Sequence, residues 1–187
     1  MTTPLTQALD ALQRGLLIGL PTDTVYGVAA DPFNRDAVAR LYEIKERDPA
    51  NPIPVLGASV ESFGPIAVLI GAAATAAARH WPGGLTIVVP KAEGAPEWVG
   101  DERDTVAVRV PDHEVALEVL RLAGPLAVTS ANRAGEPPAR TSDEARFALG
   151  YGVAVCLAGE ASLGEPSTIV DFTGDDPVVL RQGPVRL

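Results

Sequence analysis

Leu16-Leu17-Ile18-Gly19-Leu20-Pro21-Thr22-Asp23-Thr24-Val25-Tyr26-Gly27-Val28-Ala29 is the stretch on which the reading of this chain turns. Its first five residues form a short continuous apolar run of the kind buried on both faces of a sheet. Pro21 and Thr22 end that run, because proline fixes φ and short polar side chains satisfy local backbone groups. Hydroxyls are thereby presented from the end of a buried element. Taken alone, such a segment is an ordinary turn, and its weight comes from what surrounds it.

Upstream, Thr3 and Pro4 read as the cap and first position of a helix with Leu5, Ala8, Leu9 and Leu12 on one face and Gly15 as its stop. Downstream, Val38, Leu41 and Ile44 recur at helical spacing between Asp31 and Lys45, with Asn34 placed to cap. That helix delivers Lys45 and Arg47 to a loop in which Pro49, Pro52 and Pro54 force extended backbone. Apolar runs at 85–89, 106–110, 126–128, 153–158, 169–172 and 178–180 read as strands. Helical patterns lie between some of them: around 72–80, from Asp112 as cap to Leu122, and from Thr141 or Ser142 to Leu149. The alternation predicts an α/β (α+β) fold, a sheet with helices packed on it. The charged segment 92–104 reads as the mobile surface loop.

At 187 residues the chain suits one domain spanning 1–187, long enough to bury a core without staples. With only 5% aromatic residues, that core is built of Ala, Val, Leu and Ile. A formal charge of −9 argues against a basic surface for sequence-independent nucleic-acid binding, although a local basic patch fits within it. Cys156 is the only cysteine and lies in an apolar run, so it reads as core in a reducing compartment. Met1-Thr2-Thr3-Pro4 lacks a basic signal n-region, and the apolar stretch 66–78, at about 13 residues, is short of the roughly 20 a membrane helix needs. A cytoplasmic protein with no membrane contact is expected. His80 and His113 show no ligand spacing with Cys156, which argues against a zinc site; His113 falls in the first turn of a helix and reads as structural.

Seven segments in order give the chain a family likeness: 21–29, Lys45-Glu46-Arg47 with Asn51-Pro52, Trp81-Pro82-Gly83-Gly84-Leu85-Thr86, Val106 to His113, Thr129-Ser130-Ala131-Asn132-Arg133-Ala134-Gly135, Ser167 to Asp171, and Leu180-Arg181-Gln182-Gly183. In these the chain resembles the YrdC-like family, whose best-known members are threonylcarbamoyl-AMP synthases of tRNA modification. The resemblance implies a twisted mixed sheet flanked by helices around a concave pocket, and the short bacterial type. It implies a nucleotidyltransferase reaction in which L-threonine and bicarbonate give a carbamate that attacks the α-phosphate of ATP and expels pyrophosphate. A separate transferase complex takes the product to tRNA. Position by position, it implies threonine contacts at Thr22, Arg109 and Ser167, ATP contacts at Arg47, Asn51, Thr105, Ser130 and Arg181, and phosphate stabilisation by Lys45 and Arg47. No side chain is implied as acid or base, and no metal ligand; Mg2+ comes with ATP.

The residue types suit that chemistry, because in-line phosphoryl transfer needs positioning and charge stabilisation more than a covalent nucleophile. For Arg109 two readings stand: inward beside an anionic partner, or outward on the solvated face of its strand. Two positions depart from the family pattern: Leu56, where many relatives have histidine, and Pro138, where many have serine. The alternative function is a non-catalytic relative binding tRNA or double-stranded RNA, or associated with ribosomes. A third reading, an adenylating enzyme using carbamoyl phosphate, belongs to relatives with further domains.

Overall fold

The computed structural model describes residues 3–133 and 135–187; Met1 and Thr2 of the opening segment and Ala134 of the 129–135 segment lie outside them. The chain runs α1 (Pro4–Gln13), β1 (Ile18–Leu20), β2 (Gly27–Ala30), α2 (Arg35–Lys45), β3 (Val55–Leu56), α3 (Gly71–His80), β4 (Leu85–Pro90), β5 (Thr105–Arg109), α4 (Glu114–Ala123), β6 (Leu126–Ser130), α5 (Ser142–Leu149), β7 (Val155–Cys156), β8 (Thr168–Asp171) and β9 (Val178–Arg181). All the strands join one sheet in the order β7-β1-β2-β6-β3-β5-β4-β8-β9. Three of its pairings, β1 with β7, β3 with β5 and β4 with β8, are parallel and the others antiparallel, so the sheet is mixed as expected.

Local chemistry sets the helix ends. The Thr3 hydroxyl accepts from the Thr6 amide at 3.2 Å, the Asn34 carboxamide from Ala37 at 3.1 Å, and the Thr141 hydroxyl from Glu144 at 3.2 Å. Each satisfies an amide that the first turn leaves unpaired. The start of α4 differs from expectation: the cap position is His113, without a side-chain cap bond, rather than Asp112. The cause is tertiary, since the Asp112 amide donates to the Asp23 carboxylate at 3.0 Å and the chain stays extended through His113.

Two strands were invisible to apolar-run reading. β2 returns antiparallel along β1, with Leu20 opposite Gly27 and Ile18 opposite Ala29, so residues 21–26 are a hairpin connection. β3 is only Val55 and Leu56, just after Pro54, yet it bridges β5 and β6 at the sheet centre. β7 is shorter than its apolar run.

The two halves of the sheet are covered differently. Around β1, β2 and β6, α1 and α4 pack on one face through Ile18, Leu20, Ala29 and Val128. On the other face α2 and α5 pack through Val28, Ala30 and Ala127. Around β4, β5 and β8, α3 with Phe63 and Ile66 covers a face of Leu85, Ile87, Val89, Val106, Val108 and Val170. Strand side chains alternate, so Thr86, Val88, Thr105, Ala107 and Arg109 point to the opposite face. That face is the floor of a cleft.

Ile87 is fully buried in the layer beneath that floor. Ile87→Ala is expected to lower unfolding free energy by about 2–5 kcal/mol in urea titrations; a loss under about 1 kcal/mol would mean this layer does not support the floor as described.

Candidate active site

The cleft holds about 420 Å³ and draws its lining from the 21–26 connection, the loop after α2, and β4, β5, β6, β8 and β9. The connection is rigid for local reasons. Thr22 Oγ1 donates to the Val25 carbonyl at 2.7 Å and accepts from the Thr24 amide at 3.3 Å. Tyr26 is buried and donates its hydroxyl to the Leu157 carbonyl at 2.6 Å, and burial raises its pKa well above the usual range.

Arg109 is 5% exposed, which decides between its two readings: it faces inward. Its Nε donates to the Gly83 carbonyl at 2.8 Å, Nη1 to Thr24 Oγ1 at 2.7 Å, and Nη2 forms an ion pair with Asp23 Oδ1. A guanidinium has five N–H groups, so one on each of Nη1 and Nη2 is left for the cleft. Burial pulls the Arg109 pKa down, and the neighbouring Asp23 charge opposes that pull.

Arg47 and Arg181 also line the cleft, in different surroundings. Arg47 donates Nε to the Asn51 carbonyl at 2.8 Å and Nη2 to the Pro52 carbonyl at 3.3 Å, organising its own loop. Arg181 donates Nε to the Ser167 carbonyl at 3.0 Å and Nη2 to Ser167 Oγ at 3.2 Å. Among the described residues neither has a carboxylate within ion-pair distance. Burial lowers both pKa values, and the Arg47 charge lowers that of Arg181 further, so two uncompensated cations sense each other.

Thr22, Asn51, Thr105, Ser130 and Ser167 line the same cleft. Thr105 is oriented by Asp101, whose Oδ1 accepts from its amide at 3.1 Å and its hydroxyl at 2.8 Å. Ser167 Oγ sits 2.7 Å from Thr86 Oγ1.

Lys45 is the sequence candidate that the structure does not bring to the cleft. It is buried, and its ammonium donates to the carbonyls of Ser130 and Asn132 and, at 3.4 Å, to Asn132 Oδ1. All three donors are engaged on the turn that carries Ser130, a residue of the cleft lining, so the Lys45 charge lies behind that lining as a clamp on the turn. Burial first, then the Arg47 charge, pull its pKa down to about 8.

Segment 92–104, expected to be mobile, is tied at three places. The Ala92 amide bonds Ile66, the Trp98 indole bonds Pro32, and Arg103 bridges Asp101 to Asp171. Of the two departures, Leu56 lines the cleft and Pro138 does not. Sequence reasoning gave no role to Asp23, Thr24, Thr86, Asp101 or Arg103. Asp23 carried a signal, a carboxylate between two threonines directly after a buried strand. The others acquire meaning only through strand register and loop packing.

The family model for the Sua5/YciO/YrdC domain, described as telomere recombination, matches residues 10–183. The chain belongs to this family. A threonylcarbamoyl-AMP synthase of Vibrio cholerae is 39% identical over 96% of this chain and 97% of its own length. A Mycobacterium tuberculosis protein, provisionally given the same name, is 44% identical over 95% of this chain and 83% of its own. The crystal structure of Pyrococcus abyssi Sua5 complexed with L-threonine superposes with a TM-score of 0.89 at 35% identity, covering 97% of this chain and 55% of that one. This chain thus spans about half the length of the Pyrococcus protein. Escherichia coli YciO, at 23% identity and a TM-score of 0.87, shares the fold.

The Lys45 clamp has a pH signature. Between about pH 8 and the ordinary lysine range near 10.5, the unfolded chain binds more protons at this residue than the folded one. Stability relative to a Lys45→Met variant should therefore be level below about pH 8 and rise with pH above it. Urea unfolding of both proteins between about pH 7 and 10 measures the difference; a difference that falls with pH would contradict the assignment.

Proposed function

We propose that this chain is an L-threonylcarbamoyladenylate synthase, a nucleotidyltransferase that forms threonylcarbamoyl-AMP and pyrophosphate from L-threonine, bicarbonate and ATP for tRNA modification. The observation that carries the reading is the division of one cleft into two charge regimes. Among the described residues Arg47 and Arg181 have no carboxylate within ion-pair distance, whereas Arg109 is paired with Asp23. The first suits a polyphosphate, since unpaired guanidiniums favour anions of high charge. The second suits a single carboxylate, for which two remaining N–H groups suffice.

In this reading Arg47, Asn51, Thr105, Ser130 and Arg181 would hold ATP, and Thr22, Arg109 and Ser167 would hold L-threonine. The amine of threonine combines with bicarbonate, losing water, to give a carbamate. A carbamate oxygen then bonds to the α-phosphorus as the bond to the bridging oxygen breaks and pyrophosphate leaves. The chain would contribute alignment and phosphate-charge stabilisation, with no side chain in the role of covalent nucleophile.

Magnesium would enter as the ATP complex, supplying charge on the phosphates. Among the described residues no group of three or more His, Cys, Asp or Glu could hold a metal ion, and Asp101 and Asp171 are engaged by Arg103, Thr105 and Thr173. That donor set fits an ion held by phosphates and water rather than by a protein cage. A separate transferase would take the adenylate to tRNA in the cytoplasm; no helix among the described residues is long and apolar enough to cross a membrane. Stable RNA binding as the main function is less well supported, because Arg47, Arg103, Arg109 and Arg181 line a cleft in a chain of net charge −9.

Pyrophosphate release should require ATP, L-threonine and bicarbonate together, each omitted in turn. Folded protein that releases none but binds RNA in a salt-sensitive way would support the RNA-binding alternative. Arg47→Lys should reduce kcat/KM for ATP roughly 10- to 100-fold despite keeping the charge, because a point charge replaces a planar fork. Unchanged steady-state kinetics would remove Arg47 from the phosphate site.

A further inference from the structure

Asp23 lies just behind the cleft, and no role in the reaction described above falls to it. It is buried, and its Oδ1 accepts from two sides, from Arg109 Nη2 and from the Asp112 amide at 3.0 Å. Its own carbonyl accepts from the Leu163 amide at 2.8 Å and from Ser162 Oγ at 3.1 Å. The carboxylate is therefore anchored by the 21–26 connection, the start of α4 and the 159–164 loop before any ligand arrives. Among the described residues it is the only carboxylate within ion-pair distance of Arg109, whose other partners, Gly83 and Thr24, are neutral.

Two consequences follow from elementary electrostatics. The guanidinium is fixed in plane by three bonds from two segments, the 21–26 connection and the turn at Gly83, so the N–H groups left on Nη1 and Nη2 have a set direction. Its charge is also cancelled at close range, so the field that reaches the cleft from Arg109 is that of a hydrogen-bond donor pair rather than a free cation. A phosphate dianion approaching there meets the Asp23 carboxylate just behind the guanidinium; a monocarboxylate bears less of that repulsion and can use both N–H groups. Among the described residues no carboxylate lies within ion-pair distance of Arg47 or Arg181.

We propose that Asp23 is a positioning and specificity-determining residue: it holds Arg109 and cancels its charge, making that end of the cleft a carboxylate site that refuses phosphate. The inference rests on the synthase reading for the identity of the carboxylate ligand, L-threonine, but the refusal of phosphate is a property of the chain itself. The depressed pKa of Arg109, opposed by Asp23, agrees with a buried cation that depends on this partner.

The test is Asp23→Asn, which keeps an acceptor oxygen for Arg109 and Asp112 and removes the charge. The KM for L-threonine should rise roughly 30-fold or more, while that for ATP stays within about twofold. Inorganic phosphate should become competitive with L-threonine in the variant and not in the wild type. Equal phosphate inhibition of both proteins, or KM values for ATP and threonine rising together, would overturn the proposal. Where the variant melts before assay, the wild type decides: NMR of the ligand-free protein should show the Arg109 Nη protons as resolved, slowly rotating signals, and averaged signals would overturn it. Calorimetry with L-threonine and with inorganic phosphate separates the two levels. A wild type that binds neither, beside a variant that binds phosphate, would sink the threonine assignment and uphold the role of Asp23; phosphate binding equally to both would sink that role.

Discussion

A guanidinium placed on the inner floor of a sheet must be matched by an anion or be expelled, and the Arg109–Asp23 pair is how this protein meets that demand. Much of the site's architecture answers to it. To bring Asp23 under Arg109, the chain must leave β1 through the tight 21–26 connection and return as β2, and the connection must be closed by the Thr22 hydroxyl bonds. The same carboxylate takes the amide of Asp112, which moves the start of α4 one residue along. One buried charge thus couples a hairpin, a central strand and a helix terminus. Its energetic value lies less in net stability than in the penalty for any arrangement that leaves either partner alone.

The cleft exists because the sheet is covered unequally. Helices lie on both faces of the β1, β2 and β6 half, but on one face only of the β4, β5 and β8 half. Strand alternation then sorts residues by chemistry: Ile87, Val106 and Val108 go to the core, and Thr86, Thr105 and Arg109 to the cleft floor. Polar groups on that floor are tolerable because each has a partner, as in the Thr86–Ser167 hydroxyl pair or the grip of Asp101 on Thr105. Lys45 contributes from beneath. By binding two carbonyls of the Ser130–Asn132 turn it ties the end of α2 to the end of β6, 85 positions on in sequence.

Much of this was legible from residue order. The helices were readable because apolar period, alanine content and, for α1, α2 and α5, hydroxyl or carboxamide caps are local signals, as at Asn34 and Thr141. β4, β5, β6 and β8 were readable as apolar runs. β2 and β3 were not: Gly27 to Ala30 hides behind a turn, and a two-residue strand after Pro54 has no pattern of its own and exists only because β5 and β6 pair with it. Most of the candidate residues came together in one cleft, since motif segments at strand ends converge when the strands share a sheet. Lys45 and Arg47 are neighbours in sequence but have different partners, because α2 ends at Lys45, Glu46 turns in the left-handed conformation and Arg47 belongs to the loop that follows.

By itself, the order of residues determined the element types apart from β2 and β3, the small-aliphatic core and the set of polar side chains available at strand ends, because propensity, periodicity and capping act over a few residues. Tertiary structure alone decided which of those side chains face one another. Whether Arg109 points to solvent or to Asp23, and whether Lys45 meets a ligand or a carbonyl, depends on sheet order and on which face a helix covers. Those are set by the joint burial of segments distant in the chain, and no local window contains the information.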